Sequence, residues 1–277
     1  MQLHDCGVRY KRFDYPFQKV QGELHITDDR VAFHDVFGIN GKSQTQCNGV
    51  WDKLEGLQLV FNYQTVAMDN LLRNALPPSL QSVWDGLRPS GTVQSGKVFV
   101  NYPASTRQLD VRLQAEFGKA DPSQAALPHD GNDLEPASIY PTWFPYRMDD
   151  LAGSVQIGGG VINVQNFLGR HERTRVSCQA NGQYSNSGWN ISLTEMLAGS
   201  VTPNHDFLRA LPPRLAEAIQ MLEFDGKVTV SGNMAFAQSG MNEPPEESNQ
   251  GTGIKQVGYQ SELSPVSSAW DLSLIHI

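Results

Sequence analysis

The chain has 277 residues, a formal net charge of -8, and 39% hydrophobic residues that include 12 Phe, 8 Tyr and 5 Trp. That is enough apolar material for a core, but it sits low for a globular protein, as expected where polar loops dilute the folded parts. The acidic balance argues against nucleic acid, which needs clustered Lys and Arg. No run of 18 apolar residues spans a membrane, and the start lacks the pattern of a signal peptide.

Residue 1 opens into Val8-Arg9-Tyr10-Lys11-Arg12-Phe13, which lies inside a pattern that recurs later, so an N-terminally truncated fragment is expected. An aromatic-proline opening, Phe13-Asp14-Tyr15-Pro16-Phe17, leads into alternation. Leu24 and Ile26 point one way, and Glu23, His25 and Thr27 the other, the period of a half-buried strand. A turn at Asp28-Asp29 reverses the chain into Val31-Ala32-Phe33. Asn40-Gly41 is a hairpin signal before the strand through Thr45 and Cys47. A further turn is predicted at Asn48-Gly49, ahead of Leu57-Gln58-Leu59-Val60-Phe61.

From Asp69 to Leu87 the apolar residues Leu72, Leu76, Leu80, Val83, Trp84 and Leu87 recur at helical spacing. Pro77-Pro78 breaks this segment in two, with the second proline placed for the first turn of a new helix. Gly91 stops it, Val93, Val98 and Val100 resume a strand, and Leu109-Asp110-Val111-Arg112-Leu113 closes the unit.

The chain then repeats itself. Ala75-Leu76-Pro77-Pro78-Ser79-Leu80 returns as Ala210-Leu211-Pro212-Pro213-Arg214-Leu215. Phe13, Tyr15, Gly22, Ile26, Gly38 and Cys47 return as Phe144, Tyr146, Gly153, Ile157, Gly169 and Cys178. The offset is 131 residues (22 to 153) up to the cysteines and 135 (75 to 210) at the Leu-Pro-Pro. The turns become Gly159-Gly160 and Asn181-Gly182, and the helical positions become Phe207, Leu211, Leu215, Ala218, Ile219 and Leu222. A repeat of this length is a supersecondary unit stacked on its copy. The predicted fold is mainly β: two tandem repeats of an antiparallel curved β-meander, each with a short Pro-broken helical segment. Unit 1 is 1–118, a flexible linker is 119–138, and unit 2 is 139–274 with a mobile insertion at 238–256. The closing Leu272-Ser273-Leu274-Ile275-His276-Ile277 resembles the translation of a transposon-end sequencing adapter, so 275–277 are set aside as a non-native tail.

Candidate chemistry is sparse. His171-Glu172 beside Arg170 and Arg173 has no titratable counterpart in Ile39-Asn40-Gly41-Lys42, and is read as a solvated hairpin tip. His4-Asp5-Cys6 is too tight for separated metal ligands. Gly158-Gly159-Gly160 precedes a strand rather than a helix, so it is a turn and not a phosphate cradle. Asn190-Ile191-Ser192 fits a glycosylation acceptor but falls in a strand. Cys6, Cys47 and Cys178 cannot all pair, and no Cys/His metal spacing occurs. A non-enzymatic protein without cofactor or metal is expected.

What remains is the apolar face of the sheet: Leu24, Ile26, Val31, Phe33, Leu57, Leu59, Val111 and Leu113, with Val155, Ile157, Ile162, Val164, Ile191 and Leu193 in the copy. Such a face must be covered. A helical piece of about 18 residues is ~27 Å long and covers only part of it, so an exposed apolar surface is expected. The alternative is a closed β-sandwich per unit, a structural or adhesive module for protein or glycan partners.

The aromatic-Pro openings, the following hydrophobic-x-Gly steps (Val20-Gln21-Gly22 and Leu151-Ala152-Gly153), and the meander with Gly-ended turns resemble the AsmA-like and TamB-like repeating β-groove envelope proteins. The resemblance covers nearly the whole chain. It implies a long curved sheet with an apolar groove, in the periplasm of a diderm bacterium, serving phospholipid transport or outer-membrane assembly. The implied partners are phospholipid acyl chains and envelope proteins, with a membrane anchor outside this fragment. It supplies no catalytic residues.

Overall fold

The computed structural model describes residues 1–10, 13–118, 135–211, 213–221, 226–239 and 266–276, the last as backbone. The strands of the first half are β1 (Gln2–Tyr10), β2 (Phe13–Ile26), β3 (Arg30–Asn40), β4 (Ser43–Asp52), β5 (Gly56–Ala67), β6 (Thr92–Pro103) and β7 (Asp110–Phe117). Those of the second are β8 (Asp149–Gly158), β9 (Val161–His171), β10 (Thr174–Ser185), β11 (Gly188–Val201), β12 (Val228–Ser239) and β13 (Val266–His276). Helices α1 (Asn70–Ala75) and α2 (Pro78–Leu87) lie between β5 and β6, and α3 (His205–Ala210) and α4 (Pro213–Met221) between β11 and β12. All thirteen strands form one sheet in which each pairs with the next in sequence, antiparallel throughout. The sheet runs unbroken from β7 into β8 through pairs such as Leu113 with Ile157. The described strands therefore make no second sheet that could close a sandwich.

The helices form for local reasons. The Asp69 side chain accepts from the Leu72 N–H at 2.9 Å, and Asn204 accepts from the Phe207 N–H at 3.0 Å, each capping a helix start. Pro77 is extended, and Pro78 opens α2 where no N–H is needed. Arg73 of α1 holds Asp85 of α2 by two hydrogen bonds, at 2.6 and 2.5 Å, across the proline break.

One turn is misplaced by the sequence reading. Asn48-Gly49 lies inside β4 and Asn181-Gly182 inside β10; the reversals come later, before Gly56 and Gly188. Both glycines answer to close backbone approach instead. A Cβ on Gly49 would stand 2.1 Å from the Gln58 carbonyl oxygen, and one on Gly182 2.4 Å from that of Asn190. Asn48 has its own task. The backbone turns to positive φ at Asp35, where the β3–β4 register shifts, and the stranded Asp35 N–H donates to Asn48 Oδ1 at 2.8 Å. The same device recurs 131 residues on, where the Asn166 N–H donates to Gln179 Oε1 at 3.3 Å. Positive φ also recurs at Lys19 and Asp150, again 131 apart, and at Thr65 and Ser200, 135 apart. These are β-bulges at most of these places, each bending its strand and raising its twist.

Residues 119–134 of the predicted linker and 240–256 of the predicted insertion lie outside the described residues. The described end of the linker is ordered by pairing: Ser138 is buried, bridges Ser90 through backbone bonds, and meets its hydroxyl at 2.7 Å. Strand β13 takes in Ile275 and His276, opposite Val230 and Thr229, although the sequence reading sets them aside as a tail.

The core sits on one face and is densest over β8 to β12. Trp143, in the connection before β8, stacks on Trp189 of β11 with centroids 4.6 Å apart and on Phe236 of β12 at 5.8 Å. Above it lies Gly86 of α2, where a Cβ would stand 2.4 Å from the Trp143 ring. Helix α2 thus packs over β10 and β11, while α1 touches β2.

Large-to-small changes at aromatic core sites cost ~3–5 kcal/mol. Trp143 is partly buried, so Trp143→Ala is expected to lower unfolding free energy by about 2–3 kcal/mol, against well under 1 kcal/mol for Phe37→Ala on the opposite face. Denaturant titration of both variants checks this, and equal losses would refute the plug. Replacing the bulge caps (Asn48→Leu or Gln179→Leu) should cost about 1 kcal/mol each and speed amide exchange at Asp35 or Asn166. If Gln58→Leu, which removes no such bond, costs as much, the capping account fails.

Candidate functional site

The pairing register assigns the apolar residues to rows that cross the strands. Leu24 faces Phe33, which continues through Gly49 to Leu59, Val100 and Val111. Beside it, Ile26 faces Val31, then Trp51, Leu57 and Tyr102. In the second half Leu113, Ile157, Ile162, Gly182, Ile191 and Phe236 form one row. Val155, Val164, Ala180, Leu193 and Met234 form the next. Because neighbours in antiparallel pairs share a face, all fourteen residues of the predicted lining stand on one side. The sequence reading leaves out Trp51, Phe61, Val98, Val100 and Tyr102, which join them. Trp51 is hidden from the alternation by the mistaken turn two residues before it.

Cover divides this face in two. Over β9 to β12 it is more fully covered: Trp189 and Phe236 are each 3% exposed and Ile162 and Ile191 are buried, while Val164 and Leu193, like Leu113, Val155 and Ile157 on the strands before them, are half-buried. Over β2 to β7 the part toward the hairpin tips is open. Ile26 is 57% exposed, Val111 41% and Trp51 39%, while Leu24, Val31, Phe33, Leu57 and Leu59 are half-buried. Toward the other ends of the same strands the face closes again under α1, with Val20, Cys47, Tyr63 and Ala75 buried. The open part is therefore a strip across the strands, walled on one side by the helix pair.

The opposite face is polar. Gln46, Asn62, Lys97, Gln114, Gln156 and Asn163 succeed one another across β4 to β9. Two shallow hollows lie there, one of about 500 Å³ around Gln46, Asn62 and Gln114 and one of about 350 Å³ around Asn163, Gln179 and Asn181. The larger also takes in Tyr63, Lys97 and Glu116.

Titratable groups are dispersed. Among the described residues no cluster of three or more His, Cys, Asp or Glu could hold a metal ion. The three cysteines are free thiols; burial pushes Cys47 up to about 12 and Cys178 up to about 11, so both stay protonated and inert near neutrality. Burial likewise raises Tyr63, whose hydroxyl donates to the Gln114 carbonyl at 2.9 Å. His171 departs from the predicted solvated tip. Its ring lies 3.9 Å from that of Tyr146, its Nδ1 is 2.7 Å from the Arg147 carbonyl oxygen, and its Nε2 is buried without a partner among the described residues. The carbonyl makes Nδ1 the donor, and the ring sits between β9 and the aromatic opening. Glu172 and Arg173 make the turn, with Glu172 at positive φ.

The arrangement offers an apolar floor with a helix wall beside it. In comparisons with protein-family models, curated proteins and solved structures, no family model, no curated protein and no solved structure matches this chain.

Proposed function

We propose that the chain is a non-enzymatic segment of an AsmA-like periplasmic protein whose apolar face holds phospholipid acyl chains, for lipid transport or outer-membrane assembly in a diderm envelope. The observation that carries this reading is the open strip of Leu24, Phe33, Leu59 and Val111 with Ile26, Trp51 and Leu57 beside it. Acyl chains laid on such a floor gain about 0.8 kcal/mol per methylene removed from water, while headgroups remain at the open side.

The finer architecture belongs to the same proposal: two tandem copies of a curved meander. Recurrence of the bulges at offsets of 131 and 135 supports the tandem copies. Curvature is supported by reach. A flat sheet would set β2 and β10 about 38 Å apart. Yet α1 touches β2 and α2 touches β10 and β11, and the two helices together reach at most ~27 Å. A sheet curled around its helices brings those strands within range, and makes the apolar face the concave one.

A second reading, a structural or adhesive module for protein or glycan partners, draws on the Trp143 plug, which closes the second unit with the protein's own side chains. The two readings part at the open strip. Benzoylphenylalanine placed at Phe33 or Leu59 is expected to capture phospholipid on irradiation in envelope vesicles, whereas at Phe37, on the polar face, it should capture little. Equal capture at Phe33 and Phe37, or none at either inward site, would overturn the lipid reading.

A further inference from the structure

We infer that the polar face of the sheet carries a binding row for a neutral, extended glycan, laid across the strands over Gln46, Asn62, Gln114, Gln156, Asn163 and Asn181. The pairing register sets these amides in one line. Gln46 pairs with Asn62, Asn62 with Lys97 and Lys97 with Gln114; the line then runs through Gln156 and Asn163 to Asn181. From β4 to β10 it crosses seven strands, about 29 Å at ~4.8 Å per strand. Lys97 is its one charged side chain.

Other amides of the sheet have work within the fold. Asn48 and Gln179 cap bulges, and Gln238 accepts from the Trp189 indole N–H at 2.9 Å. In the row, Gln46 reaches Asp35 at 2.8 Å. Among the described residues, the side chains of the other five amides make no hydrogen bond within the protein. Asn is also disfavoured in strands, where Thr would serve a wetted face better. Nor does the duplication account for the row. At the offsets of 131 and 135, Asn163 answers to Ala32, Asn181 to Val50 and Asn62 to Leu197. The amides come into line only through strand pairing. Residues that break a local preference without serving the fold mark the places where function is expected.

The chemistry of the row selects the ligand. An amide offers a donor and an acceptor side by side, which a sugar hydroxyl, itself both donor and acceptor, can meet. The hollows of about 500 and 350 Å³ lie along the row on either side of Gln156. Phe37, next beyond Gln46 and 37% exposed, gives an aromatic face to the C–H side of a sugar ring. An extended β-linked chain rises by about one strand spacing per sugar, so successive rings fall on successive strands. An anionic polymer would need clustered Lys and Arg, an acyl chain an apolar floor, and a peptide strand a free edge rather than a face. The inference names a glycan, as the second reading of the function does, but it needs neither that reading's closed core nor lipid on the other side of the sheet.

Cellohexaose and chitohexaose, titrated calorimetrically into the wild-type chain, are the probes, and at least one should bind with a Kd of about 1 mM or lower. Asn62→Thr combined with Asn163→Thr should weaken that binding by at least about tenfold. Its thermal midpoint should stay at or above the wild type's, because Thr suits a strand better than Asn. Gln58→Thr, on the same face of β5 but outside the row, should bind as the wild type does. A wild-type chain that binds neither hexasaccharide would overturn the inference. So would a double variant that binds undiminished, or one that melts earlier, which makes the amides structural, or an equal loss in Gln58→Thr. Tighter binding of polygalacturonate than of either neutral probe would overturn the neutral class. Phospholipid capture at Phe33 is read from the opposite face: its failure leaves this result standing, and failure of the hexasaccharides leaves the lipid reading where it was.

Discussion

The structure turns on one requirement, the covering of an apolar sheet face much wider than any element available to cover it. Thirteen strands at about 4.8 Å spacing would span on the order of 60 Å if flat, and each helix pair is a few turns long. Burial is the main favourable term in folding, so the chain meets the requirement unevenly. Aromatic side chains from the connection before β8, and helix α2 displaced from its neighbouring strands, cover most of the second half. The tip side of the first half is left uncovered. The location of the candidate site follows from this shortage of cover rather than from any catalytic geometry.

Uneven cover needs a sheet that bends in defined places. Positive-φ residues supply the bends, and at Asp35 and Asn166 the bend strands a backbone N–H that must find an acceptor. Asn48 and Gln179 provide it from the facing strand. A bulge without its cap would leave an unsatisfied donor, whose cost rivals the gain from the pairing around it. Bend and cap are thus one device. Its recurrence at the offset of the cysteines ties the sequence repeat to backbone geometry, and not only to hydrophobic pattern.

Much of this was legible in the residues. Alternation placed the strand faces, because register along a half-buried strand depends on local pattern. The Leu-Pro-Pro break placed both helix pairs, because proline acts on its own backbone. What escaped was non-local. Asn48-Gly49 carries the local chemistry of a turn, and only the approach of Gln58 and the stranded amide at Asp35 explain it mid-strand. Trp143 sits in a short aromatic and proline-rich run with no periodicity, so its reach to Trp189 and Phe236 could not be read from spacing. His171 looked like a tip residue because Tyr146, its stacking partner, is 25 positions away. The apolar strip was legible as a list of side chains; which part lay open was not, since that depends on where α2 lands.

That landing has a consequence for how such a unit holds together. If α2 roofed its own strands, each unit would bury its face within itself and the two would meet only along a shared edge. Instead the roof over β10 and β11 comes from a helix between β5 and β6, so the second half of the sheet does not complete its core alone, and the coupling between the halves runs through side-chain packing as well as through the β7–β8 ladder. In repeat proteins stability is a sum of unit terms and nearest-neighbour terms. Placing α2 on strands far from its own moves apolar burial from the first kind of term to the second. A sheet built this way is cooperative along its length. The open strip over β2 to β7 lacks that kind of roof, and an apolar group laid on it would displace water from Ile26, Trp51 and Val111.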